Sequence, residues 1–166
     1  MNRHQLLYVA IFILFANLLA CVSVDLKPKA PTKSKVYHFQ EPSKTFKKMD
    51  SDQADQAWQN SKNGNTIAVL SECSETRDPT LTGIESETIN ALTNPEILHT
   101  EKIQFADRGA LRTLVEGQVD GVSVKMEILT LKKNSCSYTL SYIGRSKTFD
   151  SDRAVFEQYL KGFVIP

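Results

Sequence analysis

The chain has 166 residues, of which 41% are hydrophobic and 23% are charged, as expected for one ordinary globular domain. Its formal net charge at pH 7 is +1. The first 20 residues contain one of the 20 basic side chains, Arg3, and no acidic one, so the remainder balances 19 basic against 19 acidic residues. This balance argues against a general nucleic-acid binder, which needs a concentrated basic surface.

The N-terminal segment has the pattern of a targeting signal. A short basic start at Arg3 and His4 precedes an apolar core over residues 6–16, and Leu18-Leu19-Ala20 precedes Cys21. The four residues that end at Cys21 resemble the lipobox of bacterial lipoproteins. The resemblance implies a signal peptide over residues 1–20, cleavage before Cys21 and a diacylglycerol on its thiol. The protein would then contact a membrane through acyl chains, in which each buried methylene contributes about 0.8 kcal/mol.

An uncleaved transmembrane span is the alternative for this segment. The stretch from Leu6 to Val24 contains Asn17 and Ser23, which makes it marginal for the ~20 apolar residues that a span needs. We therefore expect a lipid anchor. Val22 stands where retention in the inner membrane of enterobacteria typically shows Asp, so the predicted location is the outer membrane of a bacterial envelope, on its periplasmic or surface side.

Residues 21–36 are predicted to be the lipidated cysteine and a tether. Two prolines and four lysines occur there without apolar periodicity, which is typical of an extended linker. Residues 37–166 are predicted to form a single globular domain. It begins with a short strand at residues 36–39 and a hairpin whose turn contains Asn63-Gly64, because both of these residues tolerate positive φ.

A helix is predicted near residues 80–93. Asp78 or Thr80 is suited to be its N-cap, and an Asn-Pro pair after residue 93 is expected to end it. Glu85 and Glu87 lie away from its apolar residues, so both carboxylates are predicted to face solvent.

Three strands follow, over residues 97–105, 110–119 and 122–131. The two-residue turn Asp120-Gly121 between the last two fixes their register. That register predicts one buried face made of Thr113, Val115, Gly117 and Val119 opposite Ile128, Met126, Val124 and Val122. Leu129 and Leu131 point to the other face, which predicts a second cover, such as a helix, over that end of the hairpin.

The chain is predicted to end with a strand and a helix. The strand covers residues 135–143, and the helix covers residues 150–163 with Asp150 or Ser151 as its cap. Strands and helices are thus segregated along the chain, which predicts an α+β fold with one mainly antiparallel sheet.

Two cysteines, Cys73 and Cys136, remain besides the predicted lipid-bearing one. Outside the inner membrane the environment is oxidising, so an even pair predicts a disulfide. Antiparallel neighbouring strands would bring the two residues together, because Cys73 ends one strand and Cys136 begins another. The alternative is two unpaired thiols in the core.

Residues 37–163 as a whole resemble Mog1/PsbP-like domains. The resemblance rests on Phe39-Gln40-Glu41-Pro42 at the start, the strand entry Arg108-Gly109-Ala110-Leu111-Arg112 and the closing Lys161-Gly162-Phe163. It implies an α/β/α sandwich and a role as an assembly factor, partner-binding subunit or adaptor rather than an enzyme. It transfers no functional residue.

Patterns for catalysis or cofactor binding are absent from the sequence. His38 and His99 lack the spacing of metal ligands, and no nucleophile elbow, phosphate loop or dinucleotide fingerprint occurs. We therefore predict no catalytic residue, no metal and no cofactor.

The predicted function is that of a membrane-anchored envelope protein that binds another envelope protein or supports its assembly, with no nucleic-acid partner. The alternative is a small-ligand or lipid-binding protein that uses a cleft between the sheet and a helix.

Overall fold

The computed structural model describes residues 30–166. The predicted signal peptide, Cys21 and residues 22–29 of the predicted tether lie outside the described residues. Within residues 30–166, no helix is both long and apolar enough to cross a membrane.

The described chain folds into one antiparallel sheet and two helices. The strands are β1 (Phe46–Met49), β2 (Gln56–Asn60), β3 (Thr66–Cys73), β4 (Thr93–Phe105), β5 (Arg108–Val119), β6 (Val122–Lys133) and β7 (Cys136–Arg145), and the helices are α1 (Leu81–Ile89) and α2 (Arg153–Lys161). The order of the strands in the sheet is β1-β2-β3-β7-β6-β5-β4. The predicted α+β class with one mainly antiparallel sheet is confirmed.

The hairpin β5–β6 has the predicted register. Val119 pairs with Val122, and the ladder continues without a shift to Ala110 and Leu131. The turn residues Asp120 and Gly121 have φ angles of 50° and 78°, the left-handed conformation that a two-residue turn requires. Turn geometry and side-chain alternation specify the same pairing here, which is why the sequence alone was sufficient to predict it.

Each helix packs on one face of the sheet, and we call these the α1 face and the α2 face. On the α2 face, large side chains of the sheet form one buried cluster with the residues of α2 and the chain after it. The sheet residues of this cluster include Trp58, Ile67, Val69, Leu129, Leu131, Tyr138, Leu140 and Tyr142, and the others include Phe156, Tyr159, Leu160 and Phe163. The predicted cover over Leu129 and Leu131 is therefore α2.

The α1 face carries a smaller cluster. Its members are Ile89, Leu92, Val115, Val124, Met126 and Ile128. They belong to α1, to the chain just after it, and to β5 and β6. Helix α1 therefore covers the β5–β6 side of this face.

The prediction that Glu85 faces solvent is wrong. Glu85 is 7% exposed, and its carboxylate accepts a hydrogen bond from the Thr113 hydroxyl on β5. Glu85 is four residues before the buried Ile89, so both side chains lie on the face of the helix that packs on the sheet. Glu87 is exposed, as predicted.

Helix α1 is shorter than predicted. Thr80 is the N-cap, and its Oγ1 accepts a hydrogen bond from the N–H of Gly83 at 3.1 Å. The helix ends at Ile89, and the predicted stop at Asn94-Pro95 lies inside β4 instead. A register shift after Thr93 and a φ of 50° at Asn94 accommodate the proline, which an edge strand tolerates because its N–H is not needed by a neighbour.

The N-terminal strand predicted at residues 36–39 does not form. Only His38 pairs there, with Val164, through two backbone hydrogen bonds of 2.8 Å. The first edge of the sheet is β1 instead, which pairs with β2 from Phe46 to Met49. Its sequence has two adjacent lysines and no alternation of apolar residues, so the pattern gave no strand signal.

The predicted caps of the last helix, Asp150 and Ser151, are also wrong. Residues 149–151 form a single 3₁₀ turn, and α2 begins after Asp152. The Asp152 carboxylate makes no cap bond. It accepts hydrogen bonds from the side-chain amides of Asn60, Asn63 and Asn65, at 3.0, 2.7 and 2.9 Å. The β2–β3 hairpin therefore fixes the start of α2.

Candidate functional site

Cys73 and Cys136 are directly opposite each other in the β3–β7 ladder, and a disulfide joins them. They lie 63 positions apart in the chain, at the end of one central strand and the start of the next. Cys21, the predicted lipidation site, lies outside the described residues. The disulfide closes one end of the α2 face and holds together the two strands on which that face is built.

The first described residues pack against this end of the sheet, and we call residues 30–38 the N-terminal strap. The N–H and C=O of Thr32 bond the C=O and N–H of Cys73 at 3.0 and 2.7 Å. The N–H of Ser34 donates to Ser71 Oγ at 2.7 Å, and Ser34 Oγ lies 2.9 Å from the Tyr138 hydroxyl. Contacts with the domain thus begin inside the segment predicted to be a tether.

The strap also covers a buried carboxylate, Asp55. Its Oδ2 accepts hydrogen bonds from the Ser71 hydroxyl at 2.5 Å and from the Tyr37 hydroxyl at 3.2 Å. Burial first, and then the Asp55 charge, raise the pKa of Tyr37 well above its usual value. Lys33 Nζ lies 3.5 Å from Asp55 Oδ1, so an ion pair and the hydrogen bond from Tyr37 connect the strap to this carboxylate.

A second polar cluster lies between the sheet and α2. Glu127 on β6 is 1% exposed, and its carboxylate binds Arg112 on β5 and Arg153 on α2, with Nε–O distances of 2.7 and 2.9 Å. Arg112 also binds Glu157. Burial opposes the charge on Arg112, but the hydrogen bonds to Glu157 and Glu127 outweigh it and raise its pKa. The two acidic and two basic side chains neutralise each other's charge, and their ion pairs attach α2 to the sheet.

The two histidines of the described residues are not brought together with other ligands. Both are exposed, His38 in the strap and His99 on the edge strand β4. Among residues 30–166, no three His, Cys, Asp or Glu side chains are grouped so that they could hold a metal ion.

An open groove of about 410 Å³ lies on the α1 face beside α1. Its floor is formed by β2, β3 and β7, its one wall by α1 and its other wall by the connection from β1 to β2. The floor residues are Ala57, Thr66, Ala68, Leu70, Glu72, Ser137, Thr139 and Ser141, and the wall residues are Met49, Ser51, Gln53, Ala54, Ile84, Glu87, Thr88 and Ala91. We call this feature the α1 groove.

The α1 groove is lined mainly by alanine, serine and threonine. Its charged lining residues are Glu72 and Glu87, and among residues 30–166 no basic side chain lines it. Arg77 lies at its rim, 4.0 Å from Glu87, but both side chains are at least half exposed and such a pair is weak. The groove is therefore rich in hydroxyl groups, and its charged lining residues are acidic.

The sequence analysis predicted a cleft between the sheet and a helix but did not identify the residues that line it, although a signal for them was present. β7 reads Cys-Ser-Tyr-Thr-Leu-Ser-Tyr-Ile, in which large and small residues strictly alternate up to Ser141. The large residues of β7 predict the core on one face of the strand. The small residues between them, Ser137, Thr139 and Ser141, line the groove on the other face.

Three other depressions lie on the surface of the described residues. Two, of about 160 and 370 Å³, flank the disulfide, and one of about 500 Å³ lies between residues 40–43 and α2. The first is lined by both acidic and basic groups, and so is the last, through Glu41 and Lys161. The first adjoins the α1 groove, because Glu72 and Ser137 line both, and residues of β3, β6 and β7 form part of it.

Comparison with known proteins identifies the fold and leaves the family open. No protein-family model matches the chain, and no curated protein matches it in sequence. Among solved structures, LpqN of Mycobacterium tuberculosis, described as involved in cell envelope biogenesis, aligns with a TM-score of 0.61 at 10% identity, over 82% of this chain and 90% of LpqN. Cyanobacterial PsbP from Synechocystis sp. PCC 6803 aligns with a TM-score of 0.57 at 11% identity, over 90% of this chain and 99% of that protein.

The likeness establishes a PsbP-like fold for the described chain, as the sequence resemblance predicted. A protein of unknown function from Pseudomonas aeruginosa, PA94, shares it with a TM-score of 0.51 at 11% identity, over 83% of this chain and 98% of that one. At such identities a shared fold does not transfer a function, which has to be argued from the site.

Proposed function

We propose that this chain is a non-catalytic protein-binding or assembly module of the bacterial cell envelope, attached to the outer membrane by a lipid on Cys21. Three observations support it. The residues before Cys21 have the lipobox pattern, the Cys73–Cys136 disulfide suits an oxidising compartment, and the fold is similar to that of LpqN, a protein described as involved in cell envelope biogenesis.

The observation that carries the binding role is the half-covered α1 face. Helix α1 covers β5 and β6, while β3 and β7 beside it form the floor of the α1 groove, which is half-buried along β3 and, on β7, deepest at Ser137 and Thr139, 8% and 7% exposed. On their other side the same two strands are fully buried under α2, as the 0% exposure of Val69 and Leu140 shows. A sheet with one complete and one incomplete cover has a surface available for a partner.

The lining of the groove favours a polypeptide over a lipid or small apolar ligand. Pockets for such ligands enclose most of the ligand and are lined mainly by apolar and aromatic groups. The α1 groove is open, contains no aromatic side chain among its described lining residues, and carries two carboxylates. A polypeptide can place basic side chains beside these two carboxylates, whereas an acyl chain has no group that can pair with them.

A pair of tryptophan substitutions tests the binding role. Ala68→Trp places a large side chain on the floor of the groove, whereas Ala154→Trp adds the same side chain to an exposed position of α2. We expect crosslinking in the native cell, followed by mass spectrometry, to find an envelope protein with the unchanged chain and with Ala154→Trp, and to lose it with Ala68→Trp. Equal recovery with both variants would show that the groove is not the contact surface.

The anchor is tested separately by Cys21→Ser. This variant is expected to stay unprocessed and to incorporate no labelled palmitate, and the unchanged chain is expected to float with the outer membrane in a density gradient. Labelled palmitate on the variant would refute the attachment site.

A further inference from the structure

The shape of the α1 groove, taken with its charge, restricts what can occupy it, and this inference rests on the binding role proposed above. The floor consists of three neighbouring strands, β2, β3 and β7. Two inter-strand spacings of about 4.8 Å make the floor roughly 10 Å wide. An α-helix with its side chains is about 10–12 Å in diameter. The width therefore suits one helix.

The length of the floor gives a second constraint. On β3 it extends from Thr66 to Glu72, which are six positions apart. At about 3.3 Å per residue this is roughly 20 Å, the length of a helix of about 13 residues. Helix α1 already occupies the adjoining part of this face, and helices that pack side by side are about 8–10 Å apart.

The side chains of the floor indicate which surface the helix must bring. Ala57, Ala68, Ser137, Thr139 and Ser141 are small, so they fill little of the space between the sheet and a helix above it. Helix α1 and the residues just after it supply Ile89 and Leu92, 7% and 6% exposed, to fill that space over β5 and β6. An occupant of the groove has to supply its own bulky apolar residues in the same way, because packed interfaces leave few voids.

The charges at the groove complete the description. Glu72 lies at one end of the floor and Glu87 on the wall formed by α1. A partner with lysine or arginine beside its apolar stripe would pair with both carboxylates, and an acidic partner would be repelled.

We infer that the α1 groove binds an amphipathic helix of a partner protein, about 13 residues long, with bulky apolar residues on one face and basic residues at its flanks. A second copy of this chain does not supply such a segment from its described part. Its two helices have nine residues each, and both are already packed on the sheet of their own domain.

Binding of a synthetic peptide tests this inference in vitro. The probe is a 14-residue peptide of leucine and lysine at helical spacing, and its control is the same peptide with glutamate in place of lysine. The unchanged protein is expected to bind the lysine peptide and to bind the glutamate peptide at least about tenfold more weakly, because like charges then face Glu72 and Glu87. Equal binding of the two peptides, or no binding of either, would overturn the inference.

Two sets of variants locate the bound peptide. Ala68→Trp is expected to abolish binding and Ala154→Trp to leave it unchanged. The double variant Glu72→Lys/Glu87→Lys is expected to lower the affinity for the lysine peptide by about tenfold or more. Glu96→Lys/Glu101→Lys makes the same charge change at exposed positions of β4 and is expected to leave this affinity unchanged. The charge variants still decide the question if Ala68→Trp does not fold, and binding that follows total charge alone would overturn the site.

An experiment in cells separates this inference from the proposed function. A photo-crosslinking p-benzoylphenylalanine in place of Leu70 is expected to form an adduct within a basic, amphipathic segment of an envelope protein. An adduct within an acidic or extended segment would overturn the helix and keep the binding module. An adduct with another copy of this chain would likewise overturn the named partner. The absence of any protein adduct, at Leu70 or elsewhere in the groove, would overturn both.

Discussion

The two faces of strands β2, β3 and β7 differ in the size of their side chains, although the same short segments build both. On the α2 face they carry Trp58, Val69 and Leu140, none of which is more than 2% exposed. On the α1 face the residues immediately before Trp58 and Val69 are the small Ala57 and Ala68, which line the α1 groove; Ala57 is 3% exposed and Ala68 is half-buried. Successive side chains of a strand point to opposite faces, so the two faces can differ in side-chain size and polarity.

The difference shows how one sheet can serve stability and recognition separately. Burying a large apolar side chain stabilises a fold by about 1.5–3 kcal/mol, and the α2 face buries many of them. Because the free energy of folding comes largely from that face, small residues on the other face cost little. The predictions below test this division.

The largest expected effect is the loss of a large side chain from the α2 face. Trp58→Ala is expected to lower the free energy of unfolding by about 3–5 kcal/mol, because it leaves a cavity in a closed core. Thr139→Ala, on the α1 face, is expected to lower it by less than about 1 kcal/mol. Urea denaturation measures both values. Similar losses for the two variants would contradict the division between the faces.

The disulfide at the end of the α2 face is expected to have an effect of comparable size. Its two cysteines are 63 positions apart, and opening a loop of that length is expected to cost roughly 4 kcal/mol in the chain-entropy model. Cys73→Ala/Cys136→Ala should therefore unfold at lower urea concentration in non-reducing buffer. Reduction of the unchanged protein should reproduce the value of the variant, and an unchanged midpoint would show that the bridge is not formed.

Two tyrosines of the α2 face are expected to respond oppositely to loss of the hydroxyl. Tyr142 accepts a hydrogen bond from the Asn65 amide at 2.9 Å and donates to the carbonyl of Phe149, so Tyr142→Phe is expected to cost about 1–3 kcal/mol. The buried hydroxyl of Tyr159 has no hydrogen-bond partner within residues 30–166. Tyr159→Phe is therefore expected to be neutral or stabilising. Thermal unfolding compares the two, and a clear loss for Tyr159→Phe would reveal a partner for its hydroxyl.

The smallest expected effect on stability at neutral pH comes from the raised pKa values of two buried tyrosines. Burial raises the pKa of Tyr142 and of Tyr159 above the usual value of about 10. The folded protein holds these protons more tightly than the unfolded chain. Stability from this source is therefore complete below pH ~10 and is lost as the pH rises further.

Urea midpoints between pH 8 and 11, in buffers of equal ionic strength, are expected to stay level and then fall. Tyr159→Phe should fall less steeply than the unchanged protein. A midpoint that rises above pH 10 would contradict the assignment.

The parts of the fold that could be predicted are those in which local signals agree. The β5–β6 hairpin follows from a turn that accepts positive φ and from alternation on both sides of it. The start of α1 follows from Thr80, because its hydroxyl accepts a hydrogen bond from the N–H of Gly83, a residue only three positions later. These features depend on residues close to each other in sequence.

The features that could not be predicted depend on contacts between distant segments. Glu85 is buried because Thr113, 28 positions later, lies opposite it. Asp152 receives the amides of the β2–β3 hairpin about ninety positions earlier, and no local pattern reveals this. The position of the α1 groove depends on how far α1 extends over β3 and β7. The alternation of residues within one strand does not indicate which helix covers that strand.

The position of Thr32 determines how the domain meets mechanical load. Both backbone groups of this residue hold Cys73, and Cys73 is covalently linked to Cys136. A pull that enters at residue 30 is therefore shared at once by β3 and β7, the third and fourth of the seven strands in the sheet. A force applied through residue 30 would therefore act on the middle of the sheet and would not separate the edge strands β1 or β4 from it.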